Sequence, residues 1–244
     1  MMAEKPDISA FFPAYNEESS IASLLGAADE VMRRVANRYE LIVVLYDGST
    51  DNTKNIVEGI MKSNSAVRLV IQPKDRKGYG VALRLGINNS RYDYIFYTDA
   101  DNQCDVRGIE KLLPLMDGAD IASAYRQNRN DQLMRRVAAR VYNALVNVMF
   151  LANIKDIDCP LKIYRKGIFN DIKVECDTGM ADAEILMKAM KHGYRIAQVG
   201  IDHAERKGGS SAFQGRGLLG SIGVPKVSVM LNLIKDLIAL RMMI

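Results

Sequence analysis

Asp93-Tyr94-Ile95-Phe96-Tyr97-Thr98-Asp99-Ala100-Asp101-Asn102-Gln103 begins as a run of strand-forming residues and ends in a turn carrying two carboxylates and an amide at alternate positions. Tyr94 to Thr98 reads as a buried β-strand. At the carboxyl end of a parallel strand the chain leaves the sheet where open α/β folds place their ligands. Oxygen ligands on such a turn suit a hard divalent cation, Mg2+ or Mn2+, with coordination positions left over for a substrate's phosphates. An Asp-x-Asp triplet by itself is more often a solvated turn, so its weight depends on what surrounds it.

Short apolar runs and helix-period segments alternate around it. The pattern predicts strands at Ile8 to Phe12, Leu41 to Tyr46, Val67 to Ile71, Tyr94 to Thr98 and Ile121 to Ala124. Helices are expected between them, starting at about Glu17, Asp51, Lys77 and Val106. Strand and helix in repetition call for an α/β fold, a mostly parallel twisted sheet with helices on both faces. Asn16 and Thr50-Asp51 stand where side-chain oxygens cap the free N–H groups of a helix start. The second half predicts a long helix at about Gln132 to Leu151, a loop through Asp156 to Pro160, a strand near Lys162 to Tyr164 and a helix near Ala181 to His192.

We divide the chain into one catalytic-size domain, residues 1–214, and a C-terminal segment, 215–244. The domain has a nucleotide half (about 1–124) and an acceptor half (about 125–214). In the C-terminal segment Val227, Met230, Leu231, Ile234, Leu237 and Ile238 share a helical stripe opposite Ser228, Asn232 and Asp236. Lys235 and Asp236 interrupt any apolar span of bilayer length, so the expectation is an amphipathic helix lying at a membrane interface, docked on the protein's own core, or meeting a second copy in a homo-oligomer.

At 244 residues and 48% hydrophobic content, the chain can bury a full core. Met1 to Asp7 is polar and the apolar run Ile8 to Ala14 is too short for a secretory leader, so a cytoplasmic protein is expected. Cys104, Cys159 and Cys176 are odd in number and show no paired metal spacing, which favours reduced thiols. The net charge of +4 is unevenly spread. Ala124 to Lys166 holds nine basic residues against three acidic ones, leaving the remainder slightly acidic. A concentrated basic segment implies an anionic partner. Nucleic acid is disfavoured, because no helix-turn-helix, zinc-finger or aromatic-ladder pattern accompanies the charge.

The clusters at the strand ends carry a resemblance. Phe12-Pro13-Ala14-Tyr15-Asn16-Glu17-Glu18, Tyr46-Asp47-Gly48-Ser49-Thr50-Asp51, Lys77-Gly78-Tyr79-Gly80-Val81-Ala82-Leu83 and Asp99-Ala100-Asp101 resemble glycosyltransferase family 2, of the Rossmann-like GT-A fold. Asp158-Cys159-Pro160-Leu161-Lys162, Asp182-Ala183-Glu184-Ile185, His192-Gly193-Tyr194-Arg195-Ile196 and Glu205-Arg206-Lys207-Gly208-Gly209-Ser210-Ser211 are similar to its dolichyl-phosphate mannosyltransferase-like branch, which loads sugars onto polyprenyl phosphates. The likeness runs from about Ile8 to Ser211.

The resemblance implies an inverting transfer from a nucleotide sugar, with GDP or UDP as the carrier. Pro13, Tyr15, Glu17, Asp47, Lys77, Gly78 and Asp99 are the expected donor-binding residues. Asp99, Asp101 and Gln103 are the expected ligands of Mg2+ or Mn2+, a Lewis acid for the departing diphosphate. Arg126, Arg140 and Arg206 match arginines that gather an acceptor phosphate, and arginine's planar fork suits phosphate oxygens. Asp101, Asp182 and Arg206 are the expected catalytic residues, Asp182 at the family's usual general-base position. Arg135 and Arg136 either join the phosphate patch or face solvent. The apolar residues after Arg140, from Val141 to Phe150, either meet a lipid tail or pack in the core.

His192 reads as a helix-end cap, His203 as a residue able to approach the donor phosphates, and Tyr79 as structural. Two departures stand out. Tyr46-Asp47 replaces the two successive acidic residues common in the family, and Pro160-Leu161-Lys162 replaces a glycine-aromatic-lysine pattern. Three functions follow for testing: transfer to a polyprenyl phosphate at the cytoplasmic membrane face, with peripheral membrane contact; transfer to a hydroxyl acceptor with Asp182 as base; and non-catalytic binding of a nucleotide sugar.

Overall fold

The computed structural model describes residues 5–127, 133–202 and 237–242. Five apolar runs become strands: β1 (Ile8–Ala14), β2 (Tyr39–Tyr46), β3 (Val67–Gln72), β4 (Tyr94–Tyr97) and β5 (Ile121–Gln127). The helices α1 (Ile21–Val35), α2 (Thr53–Met61) and α3 (Tyr79–Asn89) connect the first four. After β4 come a 3-10 turn (Val106–Gly108), the single turn α4 (Ile109–Leu112) and a second 3-10 turn (Leu113–Asp117). The second half adds α5 (Leu133–Phe150), β6 (Lys162–Arg165), a 3-10 turn (Lys166–Asn170), α6 (Ala181–Lys191) and β7 (Ile196–Asp202).

The seven strands form one sheet in the order β3-β2-β1-β4-β6-β5-β7. β1, β2, β3 and β4 run parallel, as do β5 and β7, while β6 is antiparallel to both of its neighbours. Strands buried on both faces read as continuous apolar runs, and β2 buries every residue from Glu40 to Leu45. Alternate residues feed two cores. Ile8, Ala10 and Phe12 pack with α1 and α4 on one face. Phe11, Ile95 and Tyr97 pack with α3, α5 and α6 on the other. Residues 237–242 are helical, and Leu237 and Leu240 join the second core at 1% and 4% exposure. That much of the C-terminal segment docks on the protein's own body; residues 203–236 lie outside the described residues.

The order reverses between β1 and β4, because the chain builds outward to β3 and then returns to the other side of β1. Open α/β sheets open a crevice at such a switch point. Pro13 fits it: even-numbered β1 residues bond towards β2, beginning with Ile8, and odd ones face β4. β4 pairs no further than Phe11↔Tyr97, so the missing N–H of Pro13 interrupts no ladder.

Candidate active site

The turns after β1 and β2 are locked together. Thr50 N–H donates to Asn16 Oδ1 (2.8 Å), Glu17 N–H to Thr53 Oγ1 (2.9 Å), Glu18 N–H to Asp51 Oδ2 (2.9 Å), and Asn52 N–H to Glu18 Oε2 (2.9 Å). Asn16 adopts φ 54°, a left-handed conformation asparagine tolerates. The capping oxygens thus serve the neighbouring turn, and α1 and α2 start at Ile21 and Thr53 instead of at Glu17 and Asp51. Of the expected donor residues, Pro13 and Tyr15 are half-buried on this wall while Asp47 and Lys77 are exposed. Glu17 is 7% exposed and accepts from the Ser20 hydroxyl (2.9 Å), so its carboxylate faces the entry to α1. Gly78 precedes α3 where a Cβ would stand 2.1 Å from the Asp177 carbonyl oxygen, leaving room for no other residue.

The acidic turn stands opposite. Tyr79, the first residue of α3, donates its hydroxyl to Asp99 Oδ1 (2.8 Å). Gln103 N–H donates to Asp101 Oδ1 (3.0 Å). Asn102, at φ 58°, ties the turn to α1 through Ser20 O (3.2 Å) and Ser23 Oγ (2.8 Å). Burial and the adjacent Asp101 charge push the Asp99 carboxyl up to about 7. Thr98, fully buried just before it, leaves its hydroxyl without a partner among the described residues. No group of three or more His, Cys, Asp or Glu gathers among the described residues. The donor set is two crowded carboxylates with the Gln103 amide beside them. Crowding of like charge is what a divalent cation relieves, and an all-oxygen set fits Mg2+ or Mn2+.

Where β4, β6 and α6 meet, the central feature is a buried ion pair. Asp182, at the start of α6 and 3% exposed, accepts from Lys162 Nζ (2.6 Å) and from the Tyr97 hydroxyl, both through Oδ1. Lys162 is fully buried and also donates to Tyr97 Oη (3.2 Å) and to the Cys159 carbonyl. The Tyr97 ring is stacked between Phe11 (5.2 Å) and Tyr164 (6.1 Å), which fixes its hydroxyl. Asp158 stands exposed at the rim, in the slot before Cys159; loss of hydration among crowded protein and the Asp182 charge push its carboxyl up to about 7.

Arg126, at the end of β5, is gripped by Asp156 through Nε (2.7 Å) and Nη2 (2.8 Å). Burial works against its charge, but the Asp156 hydrogen bonds and charge hold its pKa above the usual arginine value. The pair uses the face that was expected to meet phosphate. Arg140 is exposed on α5 and Arg136 half-exposed beside it. Arg206 and His203 lie outside the described residues. Sequence reasoning missed the roles of Tyr79, Tyr97, Lys162 and Asp156. Lys162 carried a signal, since a lysine inside an apolar strand is buried only when paired.

The family model described as Glycosyl transferase family 2 matches residues 9–173, more than half of the chain. An undecaprenyl-phosphate 4-deoxy-4-formamido-L-arabinose transferase of Proteus mirabilis is 28% identical over 211 residues, covering 84% of this chain and 62% of that one. The enzyme of the same name from Edwardsiella ictaluri is 28% identical over 208 residues with the same coverage. The chain thus spans less than two thirds of the length of these relatives. Among solved structures, glucosyl-3-phosphoglycerate synthase of Mycobacterium tuberculosis in complex with Mn2+, uridine diphosphate and glucosyl-3-phosphoglycerate superposes with a TM-score of 0.68 at 19% identity, over 94% of this chain and 79% of that one. The same synthase with phosphoglyceric acid gives 0.70 at 19% identity. The α/β sheet is therefore that of a GT-A-like fold, and the chain belongs to glycosyl transferase family 2.

Proposed function

We propose that the chain is a metal-dependent, inverting glycosyltransferase that moves a sugar from a uridine or guanosine diphosphate sugar to a polyprenyl phosphate. The observation that carries the acceptor class is the state of Asp182. A hydroxyl nucleophile must lose a proton to a base, whereas a phosphate arrives ionised and needs only to be gathered and aimed. Lys162 and Tyr97 both occupy Asp182 Oδ1, and the residue is 3% exposed. Asp182 is better suited to holding β4, β6 and α6 together than to receiving a proton. The names of the undecaprenyl-phosphate transferases among the relatives support the same acceptor.

Each half of the crevice then has a task. Tyr79 and Gln103 N–H orient Asp99 and Asp101. When bound there, a divalent cation offsets the charge that builds on the departing diphosphate. The turns after β1 and β2, with Lys77 and Gly78, hold the nucleoside. Arg140, with Arg206 from the undescribed segment, draws the acceptor phosphate towards the anomeric carbon on the side opposite the leaving group; Arg126 contributes through its field and through Asp156. Residues 1–214 form the catalytic domain in this reading, and 215–244 an accessory segment.

A lipid acceptor also accounts for α5. Val137, Val141, Leu145 and Val148 lie along one face at 44%, 48%, 44% and 77% exposure, while Tyr142 and Val146 face the core. Leu151 follows at φ 52° and 91% exposure, a bulky side chain held out in a conformation that usually takes glycine. No helix among the described residues is long and apolar enough to cross a membrane. An apolar stripe beside Arg136 and Arg140 suits peripheral contact with an anionic bilayer, at its cytoplasmic face.

The second reading is a hydroxyl acceptor with Asp182 as base. Paired substitutions separate the readings. With a lipid phosphate acceptor, Asp182→Asn melts earlier because Lys162 loses its partner, yet the folded variant keeps transfer within about tenfold, well short of the 10²–10⁴-fold loss of a general base. Arg140→Ala raises KM for the lipid phosphate by about tenfold or more, the worth of one charge-assisted hydrogen bond. The opposite pattern would sink the phosphate reading.

A further inference from the structure

Tyr46, which departs from the family pattern, stands in an aromatic corner with Tyr15 and Lys77. Tyr15 and Tyr46 meet edge to face with ring centroids 5.7 Å apart and planes at 63°. The Lys77 ammonium lies 5.6 Å from the Tyr15 ring centre and 5.7 Å from that of Tyr46. Tyr15 and Tyr46 stand at the ends of β1 and β2, adjacent parallel strands whose carboxyl ends open towards the switch-point crevice, and Lys77 lies in the loop between β3 and α3. Tyr46 is anchored at both ends. Its hydroxyl donates to the Lys74 carbonyl (3.2 Å), and its ring lies so close to Gly48 that a Cβ there would stand 2.2 Å from a ring carbon.

The hydrogen-bonding inventory of this corner is lopsided. Lys77 offers donors and no acceptor, and the Tyr46 proton is committed to Lys74. A carboxylate at position 46 would accept from an amino or imino N–H; the tyrosine presents a π-surface and a cation instead. Guanine turns an N–H and an amino group towards its reader, both of which need acceptors. Uracil turns two carbonyl oxygens around a single N–H, which a lysine donor meets directly while Asp47 is adjacent for the N–H.

We propose that Tyr46 and Lys77 set the donor's base, favouring a uracil nucleotide over a guanine one. The proposal rests on the reading of this crevice as a nucleoside-diphosphate-sugar site. Tyr46 fixes the base plane and leaves Asp47 as the one carboxylate where a pair of acids would give guanine's two N–H groups more acceptors, and Lys77 reads a uracil carbonyl.

The test is calorimetric titration of the full chain with UDP and with GDP, each with Mn2+ present, on wild type, Tyr46→Asp and Lys77→Met, with circular dichroism and melting curves as folding controls. Wild type should bind UDP at least tenfold more tightly than GDP. Tyr46→Asp should reduce that ratio at least fivefold by strengthening GDP, and Lys77→Met should weaken UDP several-fold with little change for GDP. Equal or tighter GDP binding by wild type overturns the proposal while leaving the donor site standing, as does an unchanged ratio in a folded Tyr46→Asp. Binding of neither nucleotide overturns the donor reading and the base selection together. The lysine variant, exposed and remote from the core, keeps the question open to refutation if Tyr46→Asp fails to fold.

Discussion

Asp99 and Asp101 concentrate the electrostatic tension of the crevice in two side chains, and the tension has a measurable consequence. Burial and the Asp101 charge raise Asp99 from 3.8 to about 7, so the folded chain keeps a proton that the unfolded chain gives up near pH 4. Metal-free stability therefore declines as pH climbs from about 4 through about 7 and levels off above. A cation bound at the turn, as proposed, would compete with the Asp99 proton. Melting curves with and without Mn2+ should show a larger increment at pH 8 than at pH 5, and Asp101→Asn should shrink both the increment and the pH slope. Equal increments at the two pH values would mean that the cation sits elsewhere. Lys162 and Asp182 are the opposite case, a buried pair whose charges answer one another, and breaking such a pair costs about 3–5 kcal/mol.

At the scale of elements, α3 is keyed to the segment that leads into α6. Gly80 N–H donates to the Asp177 carbonyl (3.0 Å), and Arg84 reaches the Val174 carbonyl (3.0 Å). A Cβ on Gly80 would stand 2.0 Å from the Cys176 carbonyl oxygen and 3.0 Å from Ala181 Cβ. Gly80→Ala should therefore cost about 1–3 kcal/mol in urea unfolding, and should weaken Mn2+ binding because Tyr79 moves with it. Gly59→Ala, on the exposed face of α2 with nothing within 4 Å, should be neutral or gain up to about 1 kcal/mol. If the two substitutions behave alike, the keyed contact is not what holds α3. Elements of this kind were unevenly legible in the sequence. Leu41 to Leu45 announced β2 because a doubly covered strand is apolar throughout, and the motifs after β1, β2 and β4 were legible because each follows a strand end. The direction of β6 is absent from its local pattern, and β7 was missed because its half-buried residues and Gly200 blur the alternation. Val106 opens a 3-10 turn instead of a long helix, with Pro114 confining α4 to one turn. The pairings Tyr79 with Asp99, Lys162 with Asp182 and Arg126 with Asp156 depend on how distant strands approach, which spacing along the chain does not encode.

The whole molecule presents two differently built sides to one crevice: tightly hydrogen-bonded turns after β1 and β2, and a second half whose helix α5 carries exposed apolar and basic residues. If that helix meets a bilayer, replacing Val141 and Val148 together with serine should reduce sedimentation with anionic phospholipid vesicles several-fold, and added salt should weaken binding further by screening Arg136 and Arg140. Undiminished sedimentation of the double variant would remove α5 from the contact. Transfer to a lipid phosphate is decided by offering the full chain labelled uridine and guanosine diphosphate sugars, Mn2+ and two acceptors that differ in one group, undecaprenyl phosphate and undecaprenol in the same micelles. Label should appear on the phosphate-bearing lipid alone and be lost on chelation of the metal. Label on the alcohol or on a soluble hydroxyl compound, with the lipid phosphate left untouched, would contradict it.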